Sequence, residues 1–314
     1  MRLADVIDAY LTRQRSLGMR FDSAGRLLHH FSRAMGDRPI QEITPAAILD
    51  FLNGNGALTA TWALKYRVLT GLYRFAVSRG YVESSPLPVV PPKLPPQQTS
   101  YVYSTDELRR LLEATAILRT GHSQHVPAMY RSLLLLLYGT GMRIGEALRL
   151  TLHDVDLAEK VITVSCTKFF KTRLVPIGPK LTGELTAHIE SRGLLPMPHG
   201  KASPLFASRG TRGWCYPSVI TMFQRVRRAA GIECVIGESR PPRLHDLRHT
   251  AAVHRVIAWY RAGQDVQRLL PQLATYLGHV GIQSTQRYLQ MTPELLQAAS
   301  QRFAQYAMGA DHEG

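Results

Sequence analysis

Ser84-Ser85-Pro86-Leu87-Pro88-Val89-Val90-Pro91-Pro92-Lys93-Leu94-Pro95-Pro96 divides this chain of 314 residues into two parts of different character. Six of those positions are proline. Proline removes a backbone donor and fixes one dihedral, so the run cannot continue a helix and favours an extended, semi-rigid spacer. A domain boundary belongs there: a first domain over residues 1–85, a linker over 86–100 and a second domain over 101–314.

Upstream of the prolines, apolar residues recur at helical spacing, first Leu3, Val6, Ile7, Tyr10 and Leu11, then Leu27, Leu28, Phe31 and Met35. Thr44 as an N-cap with Pro45 at the first helical position opens a third helix, and a fourth runs from about Leu58 to Arg79. The first domain therefore reads as a small helical bundle. Trp62, Tyr66, Tyr73 and Phe75 fall at helical spacing and read as core rather than as platforms for stacked bases.

Downstream, Ser104 and Glu107 form a capping-box signature ahead of Leu108, Leu111 and Leu112. Residues 128–138 read as a buried helix that Gly139 to Gly141 breaks, followed by a helix carrying Arg143, Glu146 and Leu148. The period then shortens to two. Val161, Thr163 and Ser165 alternate with Ile162 and Val164, and Arg173 to Ile177 is a second β-branched run, which predicts a hairpin with Lys168 and Lys171 in its turn region. Helices resume near residues 219–229, 247–260, 266–277 and 293–306, with no internal repeat. The fold class is mainly α, a helical bundle plus an α-rich domain with a small antiparallel sheet.

Composition restricts the partners. With 45% hydrophobic residues the chain can build cores, which excludes disorder. Lys and Arg number 38 against 23 Asp and Glu, a formal charge of +15. Residues 1–100 hold 12 basic and 7 acidic side chains, and the rest hold 26 and 16, so both parts suit one polyanion. Arg supplies 31 of the positive charges, and its planar fork matches phosphate oxygens better than an ammonium does. Cys166, Cys215 and Cys234 are too far apart for a disulfide framework or a thiolate zinc site. No leader opens the chain, and its most apolar stretch, around Leu133 to Tyr138, is far short of the roughly 20 residues that span a bilayer, so no membrane and a cytoplasmic location are expected.

Two segments carry the chemistry. One is Arg243-Leu244-His245-Asp246-Leu247-Arg248-His249-Thr250, and the other is Leu277-Gly278-His279 with Tyr288 nine residues further on. A phenol has an unperturbed pKa near 10, so it becomes a useful nucleophile only beside a proton acceptor and positive charge. Arg143 in Tyr138-Gly-Thr-Gly-Met-Arg143 and Lys168 in the hairpin complete a set suited to phosphoryl transfer without a metal, because guanidinium forks can hold phosphate oxygens and offset developing charge. His249 lies four residues after His245, a spacing that can bind zinc on a helix, but Asp246 stands where zinc proteases carry Glu and Arg248 would repel a dication.

These four motifs, in this order, resemble those of the tyrosine recombinases, or phage integrase family, over about Tyr101 to Tyr306 and more weakly over the first domain. The resemblance implies a SAM-like core-binding domain followed by a catalytic domain, the two clamping double-stranded DNA at specific recombination sites. It implies that Arg143 and Arg248 grip the scissile phosphate, with His245 as proton acceptor or hydrogen-bond partner and His279 donating to a phosphate oxygen. Lys168 would protonate the departing 5′-hydroxyl, Tyr288 would form a 3′-phosphotyrosyl bond, and Glu146 would support the site from behind. Lys171 remains an alternative to Lys168. Neither ATP, metal nor another cofactor is implied, and the expected assembly is a tetrameric synapse on nucleoid DNA, of like or related subunits. Leu295, Ala299, Phe303 and Tyr306 form a stripe on a last helix that docks either on its own domain or on a neighbour. Thirty residues separate Arg248 from His279, longer than in the simpler chromosome-resolving members, and point to a mobile-element enzyme for integration, excision or transposition. A type IB topoisomerase and a non-catalytic DNA-binding protein are the rival readings; strand exchange between two duplexes separates the first, and the intact catalytic set argues against the second.

Overall fold

The computed structural model describes residues 1–19, 21–56, 58–94, 100–119, 124–165, 172–207, 212–234, 240–278, 297 and 300. The chain divides into two compact units, Met1–Gln98 and Thr99–Gly314.

In the first unit, α1 (Leu3–Ser16), α2 (Asp22–Met35), α3 (Pro45–Asn53) and α4 (Ala60–Ser78) enclose one core. The α3 start follows its sequence signature: the Thr44 hydroxyl accepts the Ala47 N–H, and Pro45 occupies a position whose donor would have no intrahelical partner. Trp62, Tyr73 and Phe75 are buried, as the core reading expects, and the Trp62 indole N–H donates to Asn53 Oδ1 at 3.0 Å. Leu87 is buried in the same core and the Tyr66 hydroxyl donates to the Pro88 carbonyl at 2.8 Å, so the opening of the proline-rich run packs on this unit.

The second unit begins with α5 (Thr105–Ala114), where Ser104 and Glu107 cap each other reciprocally. Then come α6 (Val126–Thr140), the single-turn α7 (Ile144–Ala147), strands β1 (Val155–Asp156), β2 (Val161–Val164) and β3 (Arg173–Pro176), and helices α8 (Pro179–Gly193), α9 (Tyr216–Ala229), α10 (Asp246–Arg261) and α11 (Val266–Leu277). Helix α6 is the hub: Tyr130, Leu133 and Leu136 are fully buried, and the helix packs against α8 and α10. The strands form an antiparallel sheet in the order β1-β2-β3, with Val161 opposite Pro176 and Val164 opposite Arg173. A smaller apolar cluster, including Val253, Val256, Val266, Leu273 and Leu277, joins α10 to α11.

The sequence pattern does not reveal α8. Its buried positions are Leu185, His188 and Arg192, so two polar residues occupy the stripe that apolar periodicity would mark. Each has a backbone partner after the helix, with His188 Nε2 at 3.0 Å from the Leu205 carbonyl and Arg192 Nε donating to the Pro204 carbonyl, although one Arg192 terminal nitrogen is buried without a partner among the described residues. Of the helix predicted over 293–306, Gln297 and Ser300 are described, both helical and exposed. No described helix is long and apolar enough to cross a membrane.

Candidate active site

Arg143 does not sit inside a helix, as its sequence neighbourhood suggests, but in extended backbone at the N-cap of α7. Gly141 makes this possible: it ends α6 in the left-handed conformation (φ +60°), and a Cβ there would press into Leu277. Glu146, three residues after Arg143, folds back to it. Its carboxylate accepts the Arg143 backbone N–H at 3.0 Å and the Arg143 side chain at 2.9 Å. Glu146 is 4% exposed while the Arg143 side chain is 40% exposed, so the carboxylate is internal and the guanidinium can meet a ligand.

Arg248 approaches from the first turns of α10 and is 2% exposed. Its guanidinium donates to the Gly141 carbonyl at 2.6 Å and to the Leu277 carbonyl at 2.9 Å, tying the ends of α6 and α11 together. His245, just before α10, is exposed. Desolvation by its packed surroundings, then the positive charges of Arg248, Arg243 and Arg143, lower its pKa against the pull of Asp246. The imidazole is therefore neutral at neutral pH and can accept a proton. Asp246 is buried and accepts three N–H groups of Arg243, its backbone amide at 2.8 Å among them, which fixes this turn. His249 is buried, unlike His245, and desolvation pushes its pKa down to about 4. Among the described residues no group of three His, Cys, Asp or Glu side chains could hold a metal ion.

A third guanidinium enters from the sheet. Arg173, the first residue of β3, donates to both Glu146 oxygens, at 2.7 and 3.3 Å, and through Nε to the Tyr276 carbonyl at 3.2 Å. Burial alone would raise the Glu146 pKa; the hydrogen bonds from Arg173 and Arg143, with the charge of Arg173, reverse that and hold it at about 2. The last turn of α11 thus meets three arginines in succession. Tyr276 O takes Arg173, Leu277 O takes Arg248, and Gly278 O takes Arg143 at 3.4 Å. Helix C-termini carry partial negative charge and unpaired carbonyls, so cations are stabilised there.

Four of the residues singled out in the sequence, Arg143, Glu146, His245 and Arg248, are brought together by this frame. Lys168, its alternative Lys171, His279 and Tyr288 lie outside the described residues. Arg173 is not among the residues singled out in the sequence, and the left-handed conformation of Gly278 (φ +71°) is not visible in the motif that contains it. A signal for Arg173 exists: alternation places it on the face of buried Val175 and Ile177, opposite exposed Leu174, and a charged residue on an inward face calls for a partner.

The phage integrase family profile matches residues 102–294. A Sinorhizobium fredii protein carrying the name integrase/recombinase y4rB is 31% identical over 299 residues, spanning 94% of this chain and 95% of its own length. The chain belongs to the phage integrase family. Membership makes it a tyrosine recombinase, of the class that transfers DNA strands. Tyrosine recombinase XerD of Mycobacterium leprae is 29% identical over 309 residues, covering 91% of this chain and 92% of that protein. The solved structure of the Tn1549 transposon integrase with transposon right-end DNA shares the fold at a TM-score of 0.69 and 18% identity, covering 97% of this chain and all of that one. The matched segment of the family profile begins just before α5 and takes in every element of the arginine frame.

Proposed function

We propose that this chain is a site-specific recombinase that cleaves and rejoins DNA through a 3′-phosphotyrosyl intermediate on behalf of a mobile element. One observation carries the reading: Arg143 and Arg248 reach the end of α11 from different elements and hold adjacent carbonyls, directly before His279 in the chain. Two forks so placed can take the non-bridging oxygens of one phosphodiester. Tyr288 Oη then attacks phosphorus, the P–O5′ bond breaks, and the leaving 5′-oxygen takes a proton from Lys168, or from Lys171 if that residue is the acid. Neutral His245 accepts the phenol proton, and His279 donates to a phosphate oxygen. Attack by a partner strand's 5′-hydroxyl reverses the steps. The phosphotyrosyl bond retains the energy of the broken phosphodiester, so neither ATP nor a metal is required. The substrate is double-stranded DNA at paired sites in the cytoplasmic nucleoid, and the working form is a tetramer. The length of the α10–α11 stretch and the likeness to an integrase/recombinase support the mobile-element role.

The test uses a nicked suicide duplex bearing a site selected from a random-sequence pool on the full chain. A covalent adduct is expected in excess chelator without ATP, and loss of the adduct that zinc or magnesium restores would sink the metal-free mechanism. Transfer of label between two duplexes distinguishes recombination from simple relaxation. Lys168→Ala should slow cleavage by about 10² to 10⁴, the usual worth of a general acid. A 5′-phosphorothiolate leaving group needs no proton and should recover most of that loss. Rescue of Lys171→Ala instead moves the role to Lys171.

A further inference from the structure

Arg143 is bound to a carboxylate, and a guanidinium paired with a carboxylate presents no net charge to a third group. Glu146 takes two donors from Arg143 and two from Arg173, so the cluster contains two cations and one anion. One net positive charge is left over. The Arg173 side chain is 13% exposed and faces Glu146 and the Tyr276 carbonyl, whereas that of Arg143 is 40% exposed. The surplus charge is thus available on Arg143, the member of the pair with access to a ligand. Without Arg173 the same carboxylate, 3% exposed, would have Arg143 as its remaining guanidinium, and the pair would be neutral.

The chain also leaves space for this arginine. A Cβ on Gly278 would lie 2.8 Å from Arg173 Nη1 and 3.0 Å from its Cζ, and the backbone there is left-handed at φ +71°. Any side chain at Gly278 would displace the guanidinium from the end of α11, one residue ahead of His279. Opposite it, Val164 at the end of β2 pairs with Arg173, and Lys168 lies between the two in sequence.

We propose that Arg173 is a positioning residue of the strand-transfer site: it neutralises Glu146 so that the charge of Arg143 remains available to the scissile phosphate, and it anchors the end of α11 that leads to His279. The inference rests on the phosphotyrosyl reading above. Arg173 touches no reacting atom in this scheme and acts through Glu146 and the helix end.

Single-turnover adduct formation on the suicide duplex, with duplex affinity measured at the same salt, tests it. Arg173→Gln should slow adduct formation by roughly a hundredfold, as for removal of a transition-state donor, while the Kd changes by less than about threefold. Arg173→Lys keeps the charge but not the fork and should fall between Arg173→Gln and the parent. The decisive variant combines Arg173→Gln with Glu146→Gln. It removes one charge of each sign, restores the net charge of the cluster, and should cleave faster than Arg173→Gln alone; a residue that merely held the fold would make the pair slower still. A double variant no faster than the single overturns the proposal, and so does an Arg173→Gln chain that matches the parent. If Arg173→Gln does not fold, an Arg173→Lys chain that folds and cleaves at the parental rate overturns the charge-and-fork requirement. A parental chain with no Tyr288-dependent adduct overturns the phosphotyrosyl reading and this inference together, whereas a parental adduct with unaffected variants overturns the inference alone.

Discussion

Tyr288→Phe should leave duplex binding intact and abolish the covalent adduct on the suicide substrate. The loss is complete rather than partial because a phenyl ring has no oxygen with which to form the phosphotyrosyl bond. Burial raises the pKa of Tyr73, Tyr103, Tyr130 and Tyr138, so each resists forming the phenolate. Tyr276 is nearest the arginine frame in the chain, yet its hydroxyl donates to the Pro176 carbonyl at 3.2 Å and its pKa is also raised, first by burial. Gel-shift affinity should change by less than about threefold, or roughly 0.6 kcal/mol, the scale of one peripheral contact. Denaturing gels of the trapped complex supply the check: a protein–DNA band from the Phe variant would move the nucleophile to another residue.

Arg248→Ala should be the most damaging substitution among the described residues, affecting both rate and stability. Its side chain donates to two carbonyls from a position 2% exposed, so truncation orphans Gly141 O and Leu277 O and opens a cavity. Each unsatisfied buried carbonyl costs about 1–3 kcal/mol, and thermal unfolding of the second unit should register a total on the order of 3 kcal/mol. Catalysis should fall by about 10² to 10³ or more from loss of one preorganised donor to the phosphate. Arg248→Lys separates the two effects. Lysine retains charge and a donor but cannot serve two carbonyls and a phosphate oxygen as a fork does, so it should recover more stability than rate. Stability recovered together with full cleavage would show that Arg248 ties α6 to α11 without gripping phosphate.

Much of this was legible in the residues. The proline-rich run, the Thr44–Pro45 start, the Ser104–Glu107 box and the period-2 strands are local signals, and local signals reach the page as sequence. The proposed catalytic residues stand out for a different reason: the proposed chemistry needs particular residue types, and the motifs that carry them occur in the order the family resemblance implies. What the pattern concealed depends on distance in space. Arg173 meets Glu146 across 27 residues and Tyr276 across 103, and no periodicity links those positions. The conformation of Arg143 was misjudged since Gly-Thr-Gly marks a break without saying that the break ends in an extended N-cap. Helix α8 carries no apolar stripe to read, because His188 and Arg192 fill two of its three buried positions.

The hydrogen bond from Arg248 to Leu277 spans 29 positions of sequence, and this has an evolutionary corollary. The stretch it encloses is a loop closed at its own ends, with helices α10 and α11 meeting at the turn over residues 262–265. Lengthening that turn changes a connection whose termini are already held, and doubling a flexible loop adds only about 0.6 kcal/mol. One residue inserted or lost in the last turn of α11 is another matter. It would rotate every following group by about 100° and shift it by about 1.5 Å along the helix, moving three carbonyls off three guanidinium groups at once. Length can therefore drift freely at the distal tip of this helical pair, while at its root the chain has no latitude to slip by a single position.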